Sequence, residues 1–423
     1  YNTSNKGMWF KVNDTIVAIS TALGEGAISI IRVSGDDAIK IINPLFEGKD
    51  LEKASSHTIN YGHIVYNGEI IDEVLLSIMK APKTYTKEDV IEINTHGSIA
   101  VVNKIMEILL FEGCRLAEPG EFTKRAFLNG RIDLTESEGV MDLINSETEL
   151  TRKMAINELS GNVSRLITDT REDIISLISN IEVNIDYPEY EDIEVVTINK
   201  IREKVREIKE KLLKTLKLSE DGKILKDGIK TVILGKPNVG KSSLLNALLE
   251  EEKAIVTDVK GTTRDIVEGS ILVGGVKLNL IDTAGVRKSD DIVEKIGIEK
   301  SLNLIDEAEL VLLILDASCP LSEEDKYLLE KTKDKKRIII MNKIDLNLNN
   351  SYMDDVIKIS AKNNEGIEDI KDAIKKLFNV GTFMSKNLTF FTNVRQISLL
   401  KSAIKSLEDV EQGIKEEREI DMI

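Results

Sequence analysis

Between the apolar run Thr231-Val232-Ile233-Leu234 and the helix-like segment Ser243-Leu244-Leu245-Asn246-Ala247-Leu248 lies Gly235-Lys236-Pro237-Asn238-Val239-Gly240-Lys241-Ser242. Strand, glycine-bounded loop and amphipathic helix start come in the order a phosphate-binding loop requires. The loop's backbone N–H groups can wrap the α- and β-phosphates of a nucleotide. Lys241 can reach the β/γ oxygens, and the Ser242 hydroxyl can ligate Mg²⁺. Asn238, Val239, Gly240, Lys241, Ser242 and Ser243 are therefore candidate nucleotide contacts.

Three further segments follow in register and narrow the nucleotide. Asp282-Thr283-Ala284-Gly285 ends the apolar stretch Leu278 to Ile281, which puts the Asp at a strand's carboxyl end, facing Mg²⁺, and offers the Gly285 N–H to a γ-phosphate. Asn342-Lys343-Ile344-Asp345 follows Arg337-Ile338-Ile339-Ile340-Met341. A carboxylate at Asp345 can accept from the guanine N1–H and 2-amino group, where adenine presents no matching donor pair, and such a site rejects the wrong base strongly. Ser360-Ala361-Lys362, after Val356-Ile357-Lys358-Ile359, supplies the last loop under the base. Any one of these short segments alone reads as an ordinary surface loop. Four of them on successive strand ends predict a GTPase domain with GTP as substrate.

Composition fits a multidomain cytoplasmic protein. The chain of 423 residues is long enough for roughly three domains. No stretch approaches the roughly 20 apolar residues of a membrane helix, and no signal-peptide core is visible at the start, so no membrane partner is expected. Two cysteines, Cys114 and Cys319, and three histidines exclude a disulfide framework and the usual zinc patterns. A net charge of −16 argues against broad electrostatic capture of nucleic acid, so that any RNA contact has to be local.

The organisation predicted is a multidomain α/β chain. Residues 1–133 alternate short β-like runs (Thr15 to Ile19, Ala27 to Ile31, Val74 to Ile78, Val90 to Ile93) with helical stretches such as Ile99 to Phe111, and read as an α+β domain after a polar, irregular start. Residues 134–226 change to a period of 3.6, with Ile201, Val205, Ile208, Leu212 and Leu216 on one face and Lys and Glu on the other. The P-loop (Ras-like) GTPase domain takes 227–379, and 380–423 returns to helical periodicity. A GTPase domain flanked on both sides by helical sequence reads as an insertion into a helical domain.

The sequence also bears on hydrolysis. Ras-like enzymes orient the attacking water with a Gln after the Asp-x-x-Gly motif, and Val286 stands there in this chain. An apolar side chain cannot position water. Charge stabilisation is then expected from Asn238 and from Thr257-Asp258-Val259-Lys260-Gly261-Thr262-Thr263-Arg264-Asp265, with Thr263 the second Mg²⁺ ligand and Arg264 a catalytic candidate. Oxygens of Asn238, Thr257, Val259 and Thr262 can wrap a K⁺ ion beside the β/γ oxygens, doing what an arginine finger does.

The P-loop with its continuation to Asn246, and Ile255 through Asp265, resemble the potassium-activated GTPases. Outside the GTPase segment, Asp14 to Ala18 through Ile31-Arg32-Val33-Ser34-Gly35, and Glu118-Pro119-Gly120-Glu121-Phe122-Thr123-Lys124-Arg125-Ala126-Phe127-Leu128-Asn129-Gly130-Arg131, resemble the MnmE (TrmE) family of tRNA-modification GTPases. The resemblance covers essentially everything after about residue 13.

The resemblance implies a homodimer formed through an N-terminal domain of folate-binding type that takes 5-formyltetrahydrofolate. It also implies a FAD-containing partner, MnmG, in a heterotetramer that modifies C5 of the wobble uridine of certain tRNAs. By position, Arg32, Glu92 and Arg131 match the family's folate contacts. The family has Lys where this chain has Arg131, so the charge is kept but not the geometry. Arg32 and Glu92 also have a plain reading as a pair at strand ends, and His96 one as a structural residue. Glu294 aligns with the family's water-orienting glutamate, its plain reading being a helix-start carboxylate. The family's Cys-x-Gly-Lys tail has no counterpart before Ile423, so a truncated chain is expected, and Cys114 and Cys319 read as incidental. The competing classes are a regulatory GTP switch of the ribosome-assembly type, which usually carries a basic RNA-binding module where this chain is acid-rich (Glu408 to Glu419), and a stand-alone folate methyltransferase.

Overall fold

A computed structural model describes residues 14–22, 24, 26–186, 198–251, 269–281, 304–346, 355–385 and 388–418. The chain divides into two compact units, residues 1–137 and 138–423.

The first unit is built on β1 (Ile16–Ile19), β2 (Gly26–Ser34), α1 (Ala38–Ile42), β3 (Phe46–Glu47), β4 (Thr58–Tyr66), β5 (Glu69–Met79), β6 (Val90–Gly97), α2 (Ile99–Phe111), β7 (Arg115–Leu116) and α3 (Glu121–Leu128). The sheet runs β3-β4-β5-β6-β2-β1-β7, antiparallel except for the β1–β7 pair. Alternation along the strands puts Val17, Ile31, Val33, Leu76, Ile78, Ile91 and Ile93 on a face covered by Val102, Ile105 and Leu109 of α2. The sequence reading did not single out β4, because Thr58–Tyr66 mixes polar residues and a glycine into its apolar alternation. Gly62 is required there: a Cβ would stand 2.4 Å from the Glu47 carbonyl oxygen and 2.6 Å from the Phe46 ring.

The boundary between the units falls within α4 (Leu134–Ile144), and the second unit continues with the helices α5 (Glu149–Leu159), α6 (Asn162–Asp186) and α7 (Ile198–Asp227). Then come β8 (Ile229–Leu234), α8 (Lys241–Glu251), β9 (Ser270–Val273), β10 (Val276–Leu280), β11 (Leu310–Asp316), α9 (Glu323–Lys331), β12 (Arg337–Asn342), β13 (Ile357–Lys358), α10 (Ile367–Leu377), α11 (Val380–Phe383) and α12 (Val394–Lys415). The sheet order is β13-β12-β11-β8-β10-β9, parallel except for the β9–β10 hairpin. Parallel strands are covered on both faces, and β11 shows why its sequence is apolar throughout. Leu310, Leu312 and Ile314 enter the core with α8 and α10, while Val311, Leu313 and Leu315 enter the core on the other side with Ile305 and Met341.

The helical stripe read from the sequence is the buried one. Ile208 and Leu212 of α7 pack on Leu400 and Ile404 of α12, and Ile201 and Val205 on Ile414, with Leu216 at the margin. Residues flanking the GTPase segment on both sides therefore share one helical core. A polar cluster joins them where the chain passes from one to the other. Lys226 near the end of α7 donates to Asp142 Oδ2 (2.5 Å) and to Thr392 Oγ1 (3.1 Å), and Thr392 Oγ1 donates to Glu158 Oε1 (2.6 Å). Among the described residues no helix is long and apolar enough to cross a membrane.

Burial pushes the Glu158 carboxyl up to about 7, with the neighbouring Asp142 adding to the effect against Thr392 and Lys226. A carboxyl whose folded value lies above its unfolded one stabilises below about pH 4.3, and that contribution is lost as pH rises through the folded value. Glu158→Gln, which keeps an acceptor for Thr392, should therefore raise the melting temperature of the whole chain at pH 8. At pH 5 thermal denaturation should show a much smaller gain.

Candidate functional site

The P-loop leaves β8, the strand at which the sheet order reverses, so its loop opens at the carboxyl ends of the parallel strands where α/β sheets take their ligands. Two glycines shape it. A Cβ on Gly235 (φ 151°) would lie 2.4 Å from the Ile314 carbonyl oxygen, and one on Gly240 (φ 101°) 2.2 Å from Asn342 Nδ2. Asn238 stands at the exposed apex in the left-handed region, φ 62°. Lys241 Nζ reaches back under the loop and donates to the carbonyl oxygens of Gly235 (2.6 Å) and Lys236 (3.0 Å). Ser242 and Ser243 sit exposed on the first turn of α8, and the buried Val239 anchors the loop from below.

Two other loops meet this one through Asn342 at the end of β12. Its side chain is buried. Nδ2 donates to the Val239 carbonyl oxygen at 2.8 Å, and Oδ1 accepts from the Ala361 N–H at 3.0 Å. Lys343, with φ 67°, donates to Asp316 Oδ2 at 2.7 Å, and the exposed Asp345 accepts from the buried Ser360 hydroxyl at 2.8 Å. Lys362 follows, exposed. The structure thus brings together Asn238 to Ser243, Asn342, Lys343, Asp345, Ser360, Ala361 and Lys362. Thr257 to Arg264, Asp282 to Gly285 and Glu294 lie outside the described residues.

Sequence reasoning passed over two carboxylates behind this surface. Asp316, at the end of β11, accepts from Ser318 N–H (2.8 Å) and from Ser318 Oγ (2.5 Å) besides Lys343. Burial pushes its carboxyl up, but the bonds from Lys343 and Ser318 outweigh that and hold it below the ordinary range. Asp325, buried, receives Lys236 Nζ of the P-loop at 2.9 Å and caps α9 by accepting from Ser322 N–H and Oγ at 2.9 and 2.7 Å. Burial is again the largest effect on it and is again outweighed, by Ser322 and Lys236. Both partnerships span long sequence separations, and nothing local marks them.

In the first unit Arg32 and Glu92 face each other across the β2–β6 register, with Arg32 Nε and Nη2 at 2.8 and 2.7 Å from Glu92 Oε1. Arg32 lies over the rings of Tyr85 (5.9 Å) and Phe122 (5.6 Å), and Arg131 stacks on Tyr85 at 4.7 Å. One tyrosine ring therefore gathers both arginines, and Glu92 joins them through Arg32. The Tyr85 hydroxyl is fixed by Thr123 Oγ1 at 2.9 Å. Tyr85 was missed because an aromatic residue in a loop reads as packing. Phe122 belongs to the Pro-Gly-Glu-Phe segment, whose charged members have a different task. Arg125, buried, binds Asp14, Glu88 and Glu121, while Arg115 binds Asp14 and Glu121. The guanidinium of Arg115 holds Glu121 down to about 2. Removing one partner of the buried Arg125–Glu121 pair typically costs about 3–5 kcal/mol, so these residues fasten α3 to the sheet. His96 is tied to Asp72 by its backbone N–H (2.8 Å) and by Nδ1 (2.7 Å). Cys114 is buried, and burial raises its thiol to about 11.

Comparison with known proteins finds relatives along nearly the whole chain. The family model described as the GTP-binding protein TrmE N-terminus matches residues 15–131, and the MnmE helical domain matches 134–423. The tRNA modification GTPase MnmE of Streptococcus thermophilus is 54% identical over 415 residues, which is 97% of this chain and 91% of that protein. The proteins of the same name from Streptococcus gordonii and Streptococcus mutans are each 51% identical, again over 97% of this chain and 91% of theirs. Matches of this depth from residue 15 to residue 423 place the chain in the MnmE (TrmE) family of tRNA-modification GTPases, a family of GTP hydrolases.

Proposed function

We propose that this protein is a potassium-activated cytoplasmic GTPase that works as a homodimer with the FAD-containing MnmG protein, in a heterotetramer. Together they modify C5 of the wobble uridine of certain tRNAs, using a one-carbon unit from a tetrahydrofolate such as 5-formyltetrahydrofolate. The observation that carries the reading is the coexistence in one chain of a phosphate loop joined to a base loop and, in the other unit, an arginine–glutamate–aromatic cluster. A GTP switch acting by binding alone has no use for the second.

In this reading the backbone of Asn238 to Ser243 cradles the phosphates, where Gly235 and Gly240 leave no room for a Cβ. Asp345 reads guanine with Ser360 fixing its carboxylate, and Lys343, Ala361 and Lys362 frame the base. Ser242 and Thr263 are hard oxygen donors suited to Mg²⁺, and Asp282 to Gly285 is the motif assigned to Mg²⁺ and the γ-phosphate. Asn238, exposed in its left-handed position, would supply a carboxamide oxygen to a donor set with Thr257, Val259 and Thr262 that suits K⁺. Bound there, the two cations would neutralise charge on the β/γ oxygens. Arg264 and Glu294 are the catalytic candidates from the chain, Glu294 orienting water where Val286 cannot. In the first unit Glu92 offers a carboxylate to the amino and N–H edge of a pteridine, with Tyr85 and Phe122 as apolar walls and Arg32 and Arg131 for carboxylates. Ile59, Tyr61 and Leu75 lie exposed on one face of this unit's sheet, and their apolar surface supports dimerisation.

GTP turnover in potassium should exceed that in sodium, at matched ionic strength, by roughly 10³-fold, the range an arginine finger supplies. Equal rates would remove the cation from the account. Calorimetric titration with 5-formyltetrahydrofolate should show binding that Arg32→Ala and Glu92→Gln each weaken by about tenfold or more, with basal GTP turnover unchanged. Absence of binding by the parent chain would rule out the folate half of the reading.

A further inference from the structure

The ten residues Asp316 to Asp325 connect β11 to the first turn of α9, and each end carries a carboxylate that holds a lysine from a different nucleotide loop. At one end Asp316 Oδ2 accepts from Lys343 of the base loop (2.7 Å), and its other oxygen is fixed by Ser318. At the other end Asp325 Oδ2 accepts from Lys236 of the phosphate loop (2.9 Å) and from Ser322. Asp325 is 1% exposed, and among the described residues its Oδ1 has no hydrogen-bond partner and Lys236 is the cation paired with it. Each lysine grows from a constrained backbone. Lys236 follows Gly235, which is pressed against the Ile314 carbonyl, and Lys343 itself has φ 67°. A buried carboxylate that fixes the ammonium fixes the loop it grows from.

We propose that Asp316–Asp325 is a positioning strap for the GTP site: Asp325, through Lys236, sets the phosphate loop, and Asp316, through Lys343, sets the guanine loop. The proposal rests on the GTP-site reading above and adds two positioning residues that do not themselves contact nucleotide. Because each carboxylate holds one loop, their effects are separable. Losing Asp325 weakens recognition of the phosphates whatever the base. Losing Asp316 weakens discrimination at the base.

The test is calorimetric titration of the full chain with GDP and with IDP, which lacks the 2-amino group. Asp325→Asn should weaken both nucleotides alike, by about tenfold, and leave the GDP-over-IDP preference intact. Asp316→Asn should reduce that preference by about fivefold or more. Lys236→Met should reproduce Asp325→Asn from the less buried side of the pair, and the double variant should be no weaker than either single one. If Asp325→Asn fails to fold, Lys236→Met and Asp325→Glu carry the same comparison, the latter with partial rescue expected. Variants within about twofold of the parent, equal loss of preference in both, or additive singles would overturn the strap. A parent chain that binds no GDP would instead overturn the GTP-site reading beneath it.

Discussion

The carboxamide of Asn342 is the joint on which the nucleotide site depends. The Asn342 side chain binds both the phosphate loop, through the Val239 carbonyl, and the last base loop, through the Ala361 N–H. Gly240 is obligatory because Asn342 Nδ2 occupies the place of its Cβ. A donor and an acceptor in that order are needed, so an aspartate would lose the bond to Val239 and an aliphatic residue both. A net gain of about 1 kcal/mol per hydrogen bond understates the role, since a buried group left without its partner costs about 1–3 kcal/mol. Three loops from β8, β12 and β13 keep a common geometry because one buried amide spans them.

How much of this was legible in the sequence follows from which interactions are local. β8 and β12 are apolar runs because both faces of a parallel sheet are buried, and a glycine-bounded loop at the end of such a run has few other uses. The stripe from Ile201 to Leu212 was readable for the same reason, its period matching a helix with one covered face. β4 was not, because its strand character comes from pairing with β5 and from the close approach of Gly62 to Phe46. Nothing local in Asp316, Asp325 or Tyr85 points to the partners that matter here. Their partners lie 27, 89 and 46 residues away, Lys343, Lys236 and Arg131 respectively, and only the folded topology brings them together.

The Pro-Gly-Glu-Phe segment shows how a motif that identifies a family divides its labour. Its aromatic Phe122 stands beside Arg32, while Glu121 and Arg125 form a buried charge network with Asp14, Glu88 and Arg115 that holds α3 in place. Such a network is a costly way to gain stability, and its effect is to fix where Phe122, Thr123 and the chain leading to Arg131 sit around Tyr85. The same logic operates in the second unit, where charged groups behind the surface hold the residues in front.

Titration of Asn342→Ala with GDP tests the central claim most directly. With the parent chain as reference and circular dichroism to establish that the variant is folded, the account predicts a loss of GDP affinity on the order of 10²-fold, because the phosphate and base loops lose their common anchor together. A folded variant that binds GDP within about twofold of the parent would show that the loops hold their geometry without Asn342 and would contradict the account.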